Sequence, residues 1–132
     1  MTEQLRQELL MAASEIHQQA KDTEEKLSFI ETQISELEEF TSNLDILIST
    51  EEKESISSLG KGVYLKTEIK EKKLFIQVGS GIVVRKTPEE AKQTISSQLQ
   101  KLKEAKTIVS THFDLYHARL KSIVEEIEAM NK

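Results

Sequence analysis

Apolar side chains recur every seven residues through the first third of the chain. One series runs Leu9, Ile16, Thr23, Ile30, Leu37 and Leu44. A second, four residues on, runs Ala13, Ala20, Leu27, Ile34, Thr41 and Ile48. Spacing that alternates between four and three residues marks a helix with one seam packed against another helix. Only Thr23 and Thr41 interrupt the apolar run, and both are small. The last third repeats the pattern: Ile95, Leu102, Val109, Tyr116, Ile123 and Met130 lie seven apart, with Leu99, Phe113, Leu120 and Ile127 in the partner series and Lys106 as its one misfit. Thr87-Pro88-Glu89-Glu90 predicts where this second helix begins. Thr stands at the N-cap, Pro at the first helical position, where an N–H is not needed, and Glu at the position that completes a capping box.

The middle of the chain changes period. Val63, Leu65 and Ile69 alternate with Tyr64, Lys66, Glu68 and Lys70; Leu74, Ile76 and Val78 alternate with Phe75, Gln77 and Gly79; Ile82-Val83-Val84 is a β-branched run. A period of two predicts strands. Glu71-Lys72-Lys73 reads as the turn of one hairpin and Gly79-Ser80-Gly81 as a turn or bulge between two others. A short strand around Ile56 brings the number to four, as two hairpins. All four glycines fall in the pairs Gly60/Gly62 and Gly79/Gly81, and the single proline is Pro88, so nothing breaks a helix in 1–50 or 89–132. The expected layout is one domain over 1–132: a helix over 1–50, hairpins over 54–86 and a helix over 88–131.

Helices of this size are each roughly 65–75 Å long, and strands between them that return the chain to its start make them antiparallel. A register that sets Ile48 opposite Ile95 also sets Leu44 opposite Leu99 and Ala20 opposite Ile123, small against large. The hairpins alone would leave apolar faces and strand edges open. Closing hairpins from several subunits into a barrel removes those edges. The fold class is therefore α+β: a long antiparallel two-helix coiled coil whose two central β-hairpins join an oligomeric β-barrel.

Composition narrows the chemistry. Charged residues make up 31% of the 132 positions and aromatics 5%, with no Trp. That supply suits long helices better than a compact core. There is no Cys, so neither a disulfide framework nor a thiolate metal site exists. His112 and His117 are five apart and do not share a helix face as a zinc pair would. No phosphate-binding glycine loop and no nucleophile–base constellation is present, so the expectation is a non-enzyme without cofactor or metal. The net charge of −5 disfavours nucleic acid as a partner. It is unevenly spread: residues 1–50 carry −8, residues 51–87 carry +3 and the remainder sums to zero. The N-terminus lacks a basic stretch followed by an apolar one, and no apolar run approaches the ~20 residues of a membrane span. The expected location is cytoplasmic, with no membrane partner.

Three segments resemble a known family. Leu59-Gly60-Lys61-Gly62-Val63-Tyr64-Leu65, Ile76-Gln77-Val78-Gly79-Ser80-Gly81-Ile82-Val83-Val84-Arg85-Lys86-Thr87 and Pro88-Glu89-Glu90-Ala91 resemble the middle region and second-helix start of prefoldin subunits of the α class, archaeal in type. Having two hairpins is what separates that class from the β class. Ser58 stands where the family often has a proline, and no acidic tail follows Lys132. The resemblance implies a hexamer of two α-type and four β-type subunits, with a double β-barrel body and six coiled-coil arms. It also implies an ATP-independent holdase that binds unfolded client proteins at the arm tips and delivers them to a group II chaperonin.

Residues can be set against those roles. Catching varied non-native chains needs accessible, adaptable apolar surface. The two chain ends supply Leu5, Leu9, Leu10, Met11 and Ala12 on one helix and Val124, Ile127 and Met130 on the other. Widening of the two-helix seam is the alternative reading of the same residues. Barrel assembly is assigned to Val63, Leu65, Ile69, Leu74, Ile76, Val78, Ile82 and Val84. The Lys70, Lys72, Lys73 cluster reads as a solvated hairpin tip. A structural scaffold or filament subunit that holds no clients shares the same fold, as does a module that recruits one native partner.

Overall fold

Helix α1 runs from Thr2 to Ser49 and α2 from Pro88 to Met130 in the computed structural model, which describes residues 2–131. Neither contains a glycine, and the one proline opens α2, so each continues without interruption. The heptad series set which side chains are covered. All twelve seam positions of α1 are at least half-buried, and in α2 every seam position except Lys106 is covered. The two threonines fit the seam because their hydroxyls turn back on their own helix. Thr23 Oγ1 donates to the Gln19 carbonyl at 2.7 Å and Thr41 Oγ1 to that of Leu37 at 2.8 Å. Each polar atom is thereby satisfied locally and the methyl group is left for packing.

The start of α2 follows the capping logic. The Glu90 N–H donates to Thr87 Oγ1 at 3.1 Å, the same hydroxyl donates to Glu90 Oε1 at 3.1 Å, and the Thr87 carbonyl accepts the first helical bond from Ala91.

Four strands lie between the helices: β1 (Glu54–Gly60), β2 (Val63–Glu68), β3 (Leu74–Gly79) and β4 (Ile82–Lys86). They form two separate antiparallel pairs, β1 with β2 and β3 with β4. The two turns are built alike, each an apolar residue, then Gly-x-Gly, then a second apolar residue. Lys61 and Gly62 hold φ of 51° and 79°, and Ser80 and Gly81 hold 49° and 75°. Two successive positive φ values suit a two-residue hairpin loop, because their twist matches that of the strands. Each register also shifts at the residue before the turn, giving a bulge at Leu59 and another at Val78.

This placement corrects one expectation. Glu71-Lys72-Lys73 is not a hairpin turn; it links the two hairpins. No residue in it can take positive φ at low cost, whereas both Gly-x-Gly segments can.

Residues 36–99 form one compact unit, and the helix segments up to Ser35 and from Gln100 onward form the other. In the first, Leu44, Ala91 and Ile95 make a buried cluster against which Leu37, Leu74, Ile76 and Leu99 pack. In the second, Ile16, Ala20, Ile34 and Ile123 are the buried apolar residues.

The register within each unit differs from the expected one. Asp45 faces Lys92 at 2.5 Å in the first unit, and Glu31 faces Lys106 at 3.8 Å in the second. The expected register offers Gln98 and His112 at those places. Leu44 likewise clusters with Ala91 and Ile95 rather than sitting squarely on Leu99. The displacement is close to one heptad. A slip of seven residues keeps every seam position on the seam, so the apolar pattern alone does not choose between the two.

Candidate assembly and client-contact surfaces

The hairpins carry most of the exposed apolar surface of their unit. On β1 and β2, Ile56, Leu59, Val63, Tyr64 and Leu65 are all exposed. Directly opposed residues in an antiparallel pair share a face. The register Ile56↔Lys66 and Ser58↔Tyr64 therefore sets Ile56 and Tyr64 on one face, and Val63 and Leu65 lie on the other. Both faces are apolar, and each strand keeps one edge unpaired among the described residues.

The second hairpin has two unlike faces. Leu74, Ile76 and Val84 are half-buried, and the first two pack on the Leu44–Ala91–Ile95 cluster. Val78 and Ile82 continue the same face toward the turn but are exposed. The opposite face shows Phe75 (68% exposed) and Val83, with the Arg85 guanidinium 5.5 Å from the Phe75 ring centroid. Glu71 lies 3.6 Å from Arg85 and so helps to hold that guanidinium. These pairs are solvent-exposed and contribute roughly 0–1 kcal/mol each.

The eight residues assigned to assembly thus fall into different settings. Val63, Leu65, Val78 and Ile82 are exposed, Leu74 and Ile76 cover the chain's own helices, and Ile69 and Val84 are half-buried. The assignment by alternation did not include Ile56, Leu59, Tyr64, Phe75 or Val83. Strict alternation names one buried face, whereas these hairpins are apolar on both sides. The aromatic side chains Tyr64 and Phe75, on nominally outward positions, were the available signal.

Lys72 also has a role that its setting in the sequence did not indicate. Helix α1 has no basic residue in its last turn and no glycine after it, so beyond Ile46, whose carbonyl accepts from the Thr50 N–H, its last carbonyls have no glycine cap. The Lys72 ammonium supplies a partner, donating to the Ile48 carbonyl at 3.2 Å and to the Thr50 carbonyl. A cation at the negative end of the helix dipole is doubly favourable there.

At the other ends of the helices, Leu5, Leu10, Met11 and Val124 are exposed, Met11 at 73%. Leu9, Ala12, Ile127 and Met130 are partly covered. Shallow surface grooves lie beside these residues, one lined by Leu5 and Glu8 and another by Glu8, Met11, Ala12 and Glu15. Among the described residues there is no group of three or more potential metal ligands, and no helix is long and apolar enough to cross a membrane.

Residues 16–132 match the sequence profile of the family described as "Prefoldin subunit". The chain is 27% identical over 99 residues to the prefoldin subunit alpha of Methanobrevibacter smithii, an alignment covering 74% of this chain and 68% of that one. Its fold is similar to that of a filamentous PFD from Methanocaldococcus jannaschii solved by cryo-EM. The TM-score is 0.69 at 17% identity, over 88% of this chain and 98% of the other. With two long helices, two small hairpins between them and a profile match over most of its length, the chain belongs to the prefoldin family, as an alpha-type subunit.

Proposed function

We propose that this chain is a subunit of an ATP-independent holdase that captures non-native proteins at the free ends of its coiled coil and passes them to a group II chaperonin. Prefoldins are non-enzymatic chaperones that assemble with other prefoldin subunits, which gives the coarse role. The partners in this reading are β-type subunits, four to every two α-type chains, and the whole chain acts as one prefoldin-like domain in the cytoplasm. The observation that carries the reading is a pair of apolar groups among the exposed side chains, which also include residues along the helices such as Phe29, Phe40, Ile46, Ile108 and Leu115. One set lies on the hairpins, where strand edges are also open; the other lies at the helix ends, around Leu5, Leu10 and Met11. Open edges and apolar β-faces suit permanent pairing between subunits. Flexible Leu and Met side chains on a helix surface suit transient contact with many sequences.

The test is light scattering of a chemically denatured client diluted into the complex co-expressed with its β-type partner. Wild type suppresses aggregation. The triple variant Leu5→Ser, Leu10→Ser, Met11→Ser assembles normally and loses most of the suppression. Full suppression by the triple variant would remove the client-contact assignment, and no suppression by wild type would favour a purely structural scaffold.

A further inference from the structure

The apolar side chains at the free end of the coiled coil are set in a net excess of negative charge. Met11 has Glu8 three residues before it and Glu15 four after, so all three share one face of α1, and both carboxylates line the groove beside Met11. Glu8 also borders the groove at Leu5. Two acids farther along the same helix are paired across to α2, Glu31 with Lys106 and Asp45 with Lys92, while Glu24, Glu25, Glu36 and Glu39 are not. Glu8 and Glu15 have no partner among the described residues.

The second helix adds to this field. Glu125, Glu126 and Glu128 stand in the last turns of α2, where no base is present in the final turn. The helix dipole disfavours anions at that end, so helix stability does not account for them. Over residues 2–15 and 119–131 the acids are Glu3, Glu8, Glu15, Glu125, Glu126 and Glu128, and the bases are Arg6, Arg119 and Lys121.

We propose that this end of the molecule selects non-native segments in which apolar residues are flanked by Lys or Arg. Apolar side chains of the segment would lie on Leu5, Leu10 and Met11, and its cations would meet Glu8 and Glu15. Electrostatic complementarity of this kind sets partner choice and encounter rate more than total affinity. The inference rests on the client-contact reading above.

It is tested with three fluorescent peptides sharing one apolar centre and flanked by Lys, Ser or Glu, titrated into the assembled α/β complex by anisotropy. The Lys peptide should bind best and the Glu peptide worst, with about three- to fivefold between neighbours at low salt, as exposed charge pairs allow. The differences should shrink toward nothing at ~0.5 M salt, where screening is nearly complete. The double variant Glu8→Gln, Glu15→Gln should lose most of the preference for Lys over Glu. A control with the same loss of charge elsewhere, Glu51→Gln with Glu52→Gln, should keep it. Equal binding of the Lys and Glu peptides, or a preference that survives the double variant, overturns the proposal. If the triple Ser variant at Leu5, Leu10 and Met11 binds the Ser peptide as tightly as wild type does, the client-contact reading itself fails, and this inference with it.

Discussion

At the residue scale, the least expected role belongs to Lys72. In sequence it sits among Lys70, Glu71 and Lys73 and looks like part of a solvated loop. In the fold its ammonium closes the end of α1, more than twenty residues earlier in the chain. No local spacing rule encodes a cap supplied from so far away, whereas the cap of α2 lies within four consecutive residues and was legible. Lys72→Met should leave the Ile48 and Thr50 carbonyls without that donor and lower stability by about 1–3 kcal/mol, read from urea melts of the assembled complex. Lys72→Arg should recover part of the loss. Gly62 makes a different residue-scale case. There is open space around a Cβ at that position, but its φ is +79°. Gly62→Val should therefore destabilise the first hairpin by about 1–2 kcal/mol through backbone strain alone, seen as faster amide exchange across Val63–Glu68.

At the element scale, the periodic patterns did most of the work. The heptads named most of the covered side chains of both helices, because burial on one seam is what a period of three and a half residues means, but they passed over Leu47, Ala91 and Ala105. The strands were legible from alternation. Their pairing was less so, since the polar run 70–73 between Ile69 and Leu74 reads equally well as a hairpin turn and offered a false one at Glu71. The register was not legible at all, because a shift of one heptad exchanges one set of apolar neighbours for another. Polar neighbours decide it: cysteines placed at Glu31 and Lys106 should be joined by a short thiol cross-linker, and cysteines at Glu31 and His112 should not. Burial also predicts magnitude. Leu44 is only 2% exposed within its cluster, so Leu44→Ala should cost about 2–5 kcal/mol, whereas exposed Ile46 on the same helix should tolerate Ala nearly unchanged by thermal melting.

At the scale of the whole molecule, the two faces of the second hairpin differ in setting, and the proposed assembly role falls to the outward one. Leu74 and Ile76 pack on the subunit's own helices, while Phe75 and Val83 point away from them. A charge at Val83 should prevent co-assembly with the β-type partner, as read by native mass spectrometry, and leave the helical circular dichroism of the chain intact. A charge at Ile76 should damage both. The central claim is that the free helix ends, and not the middle of the coiled coil, meet the client. It is tested most directly by placing a photo-reactive amino acid at Met11 or at Glu104 in the assembled complex and irradiating it with a denatured client. The account predicts client adducts at Met11 and few at Glu104. Equal adducts at both positions, or none at Met11, would contradict it.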